Sequence, residues 1–500
     1  MSLHAEISNE AKAALAAQQR VSTISSIVIS ILAVLLIGLL LWIISLAVIV
    51  KNPPELISFT PPSIENTEAK KPKTQNNVQR KPTAPTPNIA NVITSNSFDS
   101  TAIPEPDLVV TEIVMDVSDA EFDDEWSDDA ADDAGAWGEL PKSMKKRCSK
   151  EDRLERLLKS GGLEQCEESV VRSLDFFMRT QDADGGWHAK TSYPVAYTGM
   201  ALLSFLGHCE TPTSPTYGIA VEKAIAYLVN VAMKNEGKLA TDFKNKHWPY
   251  EHAICTYAIS EAYTLCSKQG LEIPNLEEAV RLSANFIIDN QDKQNGGWGY
   301  GYIQTGKQGA HVDTSVACWQ LQAIKAAKFT GIDDIKKIES SAAKGLKYLE
   351  SAQGSNGGVY YTRPNTSKPA TMTGGGVLCW QQWGKGTRGP AKKGVEYIHE
   401  NIKFDYNTAD SDLYAHYYYG QAMINVGGKY WQKYNTMFRD SLLAAQKDDG
   451  TYKQPGGGGP INGIATTFAS NSPHGIHYRT ALATLMLEVY YRFLPGSATN

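Results

Sequence analysis

The chain has 500 residues, 42% hydrophobic and 20% charged, which excludes a disordered, collagen-like or polytopic membrane protein. Its formal net charge of −6 excludes a nucleic-acid protein as a whole, so no nucleic-acid partner is expected. Seven cysteines with no CxxC pair exclude zinc fingers and a disulfide-dense scaffold.

Residues 1–21 read as a short cytoplasmic tail. Residues 22–50 then run without a single charge, and Ile27 to Val50 is almost wholly Ile, Leu, Val and Ala. Crossing about 30 Å of hydrocarbon takes about 20 residues. A cleavable signal peptide carries an apolar stretch of only about 7–15 residues. The segment therefore reads as an uncleaved, single-pass signal anchor. Lys12 and Arg20 precede it and Lys51 follows it, which favours an inside N-terminus. In a bacterium that orientation makes the C-terminal domain periplasmic.

Residues 51–140 read as a linker, first rich in Pro, Thr and Asn and then acidic. The stretch 116–133 holds ten Asp or Glu and no Lys or Arg, so the rest of the chain carries +4. One reading is a cation- or partner-binding tail with Phe122 and Trp126 as anchors. The other is a solvated, self-repelling spacer. An EF-hand is excluded, because the central Gly and the terminal bidentate Glu are missing.

Residues 141–500 form one folded unit with an internal repeat. Gln-Asp-Ala-Asp-Gly-Gly-Trp (181–187), Gln-Asp-Lys-Gln-Asn-Gly-Gly-Trp (291–298), Gln-Gly-Ser-Asn-Gly-Gly-Val (353–359) and Gln-Lys-Asp-Asp-Gly-Thr-Tyr (446–452) each follow an amphipathic helix pattern. A second, more apolar helix pattern follows each of them. Glycine is expected to cap the helix end, the Gln amide to bond free carbonyls there, and the Trp to stack over it. Six pairs are predicted: 164–180 with 193–207, 219–234 with 250–266, 276–290 with 312–328, 336–352 with 371–384, 390–403 with 411–427, and 432–446 with 477–494. The second and fifth rest on periodicity alone. Apolar second helices such as 195–206 suit an inner ring, and the more charged first helices an outer one. The expected fold is all-α, an α/α toroid of six hairpins behind a transmembrane helix and a disordered linker.

These turns resemble the QW repeat of squalene and oxidosqualene cyclases, whose double ring is shared with protein prenyltransferase β subunits and thioester domains. The resemblance covers about 163–494. The segments 313–331, 412–431 and 480–495 look most like membrane-anchored bacterial prenyltransferase/squalene-oxidase repeat proteins. That resemblance implies the fold and lends no established activity.

The family chemistries it implies are incomplete here. Where the squalene–hopene type of cyclase has Asp-x-Asp-Asp-Thr-Ala, this chain has Ala310-His311-Val312-Asp313-Thr314-Ser315, with one carboxylate left. Asp313, with His311 beside it, is the candidate acid. A helix N-cap is the other reading of Asp313, and also of Thr371 and Asp412. The prenyltransferase zinc set would need a Cys at Ser315 and a His at Ala415, and His416 is one residue out of register, about 100° round the helix. The Cys-Gly-Glu-Gln of thioester domains is absent. No metal and no cofactor is therefore expected.

The inner helices would open their N-termini on one face, where this family places its sites. Tyr197, Tyr250, Trp319, Trp380, Tyr414, His416, Tyr418, His477 and Arg479 are the candidate substrate-binding residues; Glu251 falls there too, without a role. Aromatic rings there can stabilise a cation or merely fill a core. Two functions follow. One is a binding or interaction module that lacks the full catalytic motifs and holds an isoprenoid lipid or a peptide. The other is a cyclase-like enzyme, an intramolecular transferase acting on an isoprenoid with Asp313 as acid.

Overall fold

A computed structural model describes residues 147–492, except 189–192, 363–368, 387–388 and 464–465. The tail expected at 1–21, the anchor expected at 22–50 and the linker expected at 51–140 all lie outside the described residues. Among the described residues, no helix is long and apolar enough to cross a membrane.

The described chain is all-helical. Its main helices are α1 (Lys150–Lys159), α2 (Glu164–Thr180), α3 (Pro194–Gly207), α4 (Gly218–Lys234), α5 (Trp248–Lys268), α6 (Leu276–Asp289), α7 (Thr314–Phe329), α8 (Ile338–Ala352), α9 (Pro369–Gln382), α10 (Gly389–Asn401), α11 (Leu413–Val426), α12 (Gly428–Leu443), α13 (Pro473–Leu487) and α14 (Val489–Arg492). All twelve predicted hairpin helices are present within a few residues of their expected bounds. The one unexpected long helix is α1, whose short amphipathic pattern lies before the first repeat.

Helices α3, α5, α7, α9, α11 and α13 each pack on the next, and α13 packs back on α3. Six helices thus close a ring, the arrangement expected of an α/α toroid. They are buried on nearly every side, as in the unbroken buried run Thr314–Ala327 of α7. The outer helices bury one stripe each, such as Cys166, Val170, Leu174 and Phe177 of α2. This difference follows from composition: an all-round apolar helix needs neighbours on all sides, and a striped one needs a single covered face. Close approach within the ring rests on small residues. A Cβ on Gly374 of α9 would sit 2.6 Å from the Tyr419 ring of α11.

The repeated turns have a different task from the expected one. Each helix has already ended when its glycine is reached, and the Gln amide bridges to a neighbouring unit. Gln181 Nε2 donates to the Gly185 and Ala220 carbonyls, at 2.9 and 2.8 Å. Gln291 does so to Gly296 and Ser341, at 2.7 and 2.8 Å. Gln353 does so to Gly357 and Pro390, at 2.9 and 2.8 Å. Gln446 does so to Gly450 and Ser169, at 3.3 and 2.8 Å. Each amide therefore ties its own turn to the first two turns of the next outer helix, and the fourth ties α12 to α2 and closes the ring. Gly450, at φ +82°, lies so close to α2 that a Cβ would meet the Arg172 carbonyl at 2.0 Å. The indoles of Trp187 and Trp298 donate to the Phe177 and Ile287 carbonyls in the last turns of α2 and α6. The second and fifth hairpins use other means: Ser283 of α6 donates to the Gly237 carbonyl, and Ser441 of α12 accepts the Tyr406 N–H.

The C-terminal end of the inner ring is filled by charge. Arg147 and Arg492 both pair with the buried Glu261, at 2.5 and 2.8 Å. A Cys148–Cys209 disulfide fastens the entry of the domain to the end of α3. Sequence spacing had indicated no pairing.

Candidate functional site

A cavity of about 310 Å³ lies at the N-terminal end of the inner ring. Every inner helix contributes a side chain from its first turns: Tyr197 of α3, Tyr250 and Glu251 of α5, Ser315 and Trp319 of α7, Met372 of α9, Tyr414 of α11 and Tyr478 of α13. Tyr193, His247, Tyr300, Tyr361 and Thr467 from the loops add to the wall, which among the described residues holds seven tyrosines and one tryptophan. The volume falls at the low end of the roughly 300–1,000 Å³ of small-molecule sites.

Asp313 is fully buried at the N-terminus of α7. Its Oδ1 accepts the Val316 N–H at 2.9 Å and the Ser315 hydroxyl at 2.8 Å. Asp313 is thus a helix N-cap, and Asp412 is another, accepting the Ala415 N–H. Thr371 instead lies inside α9 and donates to Asp412 Oδ2 at 3.0 Å. Because Ser315 gives its proton to Asp313, Tyr250 is the donor in its 2.5 Å contact with Ser315. The result is a relay from phenol to hydroxyl to carboxylate. His311 Nε2 stands 3.4 Å from Asp313 Oδ2 and 3.2 Å from the Tyr361 hydroxyl. The Tyr300 and Tyr361 hydroxyls touch one another.

Glu251 was placed at the mouth by sequence, but its environment was not legible there. It is fully buried, and its Oε2 accepts the Ala196 N–H at 3.3 Å. Its Oε1 has no hydrogen-bond partner. Burial pushes this carboxyl up to about 8, against the pull of the Ala196 and Val195 N–H groups.

Of the sequence candidates, Tyr197, Tyr250, Trp319 and Tyr414 line the cavity, and Asp313 and His311 stand behind its wall. The others point elsewhere. Both nitrogens of His416 are engaged away from it, with the Tyr434 hydroxyl at 2.8 Å and the Lys403 carbonyl at 3.2 Å, and burial lowers this ring to about 3. His477 donates to the Tyr197 carbonyl at 3.0 Å, packed against Phe177 and Trp187. Arg479 holds the late loop through the Tyr452, Phe468 and Ser470 carbonyls. Trp380 is core, and Tyr418 packs on Trp319 and Tyr414 behind the wall. His416, expected among the substrate-binding residues, instead turns its ring toward Tyr434 of α12 and the Lys403 carbonyl. Among the described residues, no three His, Cys, Asp or Glu side chains gather as a metal set.

No family model matches the sequence, and no curated protein matches it. Nine chains of solved structures are similar, among them the following three. Two are of a type II terpene cyclase from Scytonema. In complex with the product merosterolic acid A it is 12% identical, with a TM-score of 0.41, over 66% of this chain and 98% of that one. In complex with the substrate geranylgeranyl dihydroxybenzoate it is 14% identical, with a TM-score of 0.41, over 66% and 97%. The third is a protein from Actinoplanes, 15% identical, with a TM-score of 0.40, over 65% and 99%. At these values the likeness carries no further argument.

Proposed function

We propose that this chain is a membrane-anchored α/α toroid of the squalene cyclase kind that binds a small, largely apolar molecule at the N-terminal end of its inner ring. The observation that carries this reading is the cavity itself, an aromatic chamber to which all six inner helices contribute. An acid-catalysed cyclisation is less well supported. Protonating an alkene asks for an unusually strong acid, and both carboxyls fall short. Asp313 is committed to capping α7 and to Ser315. Glu251, raised to about 8, is a weaker acid than an ordinary carboxyl. The Cys148–Cys209 bond supports an oxidising compartment, hence the outer side of the membrane for the C-terminal domain.

The test is fluorescence titration of the full chain in non-ionic detergent with small isoprenoid alcohols. Trp319 lines the cavity, so saturable quenching that Trp319→Phe abolishes is the expected result. Stoichiometric conversion of such a ligand to a cyclic product would refute the binding-only reading.

A further inference from the structure

Among the described residues, Glu251 is the single carboxyl that lines the cavity, and its Oε1 has no partner. Asp313 adds a second buried carboxylate behind Ser315. Among the described residues, no Lys or Arg lines the wall to balance them. The one basic group among the described lining residues is His247, and burial together with nearby Lys246 holds its ring below the ordinary histidine value. Around Glu251 stand the faces and edges of tyrosines and of Trp319. A low-dielectric chamber with an unbalanced carboxyl and a wall of π-systems suits a positive charge.

We infer that the cavity is a site for an organic ammonium ion, a methylated or primary amine with a compact apolar body, its head set between Glu251 and the aromatic wall. This inference rests on the reading of the cavity as a ligand site and names the class of ligand. The rival for the same chamber is a neutral molecule whose oxygen accepts a hydrogen bond from protonated Glu251.

The two ligands respond to pH with opposite sign. In the empty protein Glu251 sits at about 8 and is mostly protonated at pH 7. A cation must expel that proton on binding, so its affinity rises with pH. A neutral acceptor needs the proton, so its affinity falls. The titratable groups that interact with Glu251 or share the cavity wall with it are Asp242 and His247 from the preceding loop, Tyr227 of α4, Tyr250 and Cys255 of α5, Tyr193 just before α3, Tyr197 of α3, Tyr300 and Tyr361 of the loops, Tyr414 of α11 and Tyr478 of α13. Burial raises the phenols of Tyr227, Tyr250 and Tyr478 and the Cys255 thiol, which removes them from the window between pH 7 and 9.

The experiment is calorimetry on the full chain in non-ionic detergent, with benzyltrimethylammonium and its neutral carbon isostere neopentylbenzene as probes. Titration of one carboxyl at about 8 predicts that the cation binds about tenfold more tightly at pH 9 than at pH 7. Repeating the pH 7 titration in buffers of different ionisation enthalpy should show close to one proton released per cation bound. The cation should bind at least tenfold more tightly than the isostere, and Glu251→Gln should abolish both the pH dependence and the proton release. Should that variant fail to fold, the pH profile and the buffer comparison on the unaltered protein carry the test. Equal or tighter binding of the isostere, or cation affinity that stays flat or falls with pH, overturns the inference while the cavity reading stands. Binding of neither probe, together with failure of the isoprenoid titration, overturns both.

Discussion

Replacing Gln291 tests whether the repeated turns hold the ring through their amides. Gln291 is 7% exposed and makes three hydrogen bonds: its Nε2 donates to the Gly296 and Ser341 carbonyls, and its Oε1 accepts the Ser341 hydroxyl. At about 1 kcal/mol net for each, Gln291→Ala should cost about 3 kcal/mol. Gln291→Glu keeps the shape but turns an acceptor toward two carbonyl oxygens, so it should cost at least as much. Gln446 makes similar contacts, but its turn is half-open to water, which replaces lost partners. Gln446→Ala should therefore cost only about 1–2 kcal/mol. Urea unfolding of the full chain followed by tryptophan fluorescence measures all three. A loss below about 0.5 kcal/mol for Gln291→Ala, or near-wild-type stability of Gln291→Glu, would refute the bridging role.

Other consequences are equally direct. His208 is hydrogen-bonded to Glu167 and Glu210 at 2.9 and 2.7 Å. Burial works against charge on both His208 and Glu167, yet these contacts raise His208 to about 9, and His208 with Arg153 lowers Glu167 to about 2. The stability from this pair should be full between about pH 4.5 and 6.5, decline as pH rises through about 9, and be lost as pH falls toward 2. A pH series of urea midpoints checks this, and His208→Gln should flatten its alkaline arm. Opening the Cys148–Cys209 bond frees a loop of sequence separation 61, so Cys148→Ser or a reductant should lower stability by about 4 kcal/mol. Gly357 and Gly270 both have positive φ, but only at Gly357 would a Cβ meet backbone, the Lys393 carbonyl at 2.3 Å. Gly270→Ala should cost about 1 kcal/mol and Gly357→Ala at least twice that, read as shifts in urea midpoint.

The helical hairpins were legible because both kinds of helix carry strong signals: α2 shows a single apolar stripe, and α13 is apolar on most sides from Ala481 onward. The caps Asp313 and Asp412 were legible for the same local reason, an Asp at the head of an apolar run. Contacts between units were not. Nothing near Gln181 reveals that its amide reaches the Ala220 carbonyl 39 residues on. The register argument placed His416 off the zinc-ligand position but could not say where its ring goes, since that depends on Tyr434 of α12. Glu251 could be placed at the mouth from its position in α5. Its missing partner, which gives it interest, is a property of the three elements around it.

The amide of Gln446 reaching back to Ser169 across 277 residues has a bearing on how such a chain can change over evolutionary time. An open solenoid can gain or lose a unit at its end and remain folded. Here the last unit must meet the first, so duplicating or deleting one hairpin would leave a gap or an overlap that no local adjustment removes. Variation is thereby confined to loop lengths and to side chains facing the chamber. The count of hairpins is fixed by geometry, and diversity among such proteins should be sought in what the chamber is lined with.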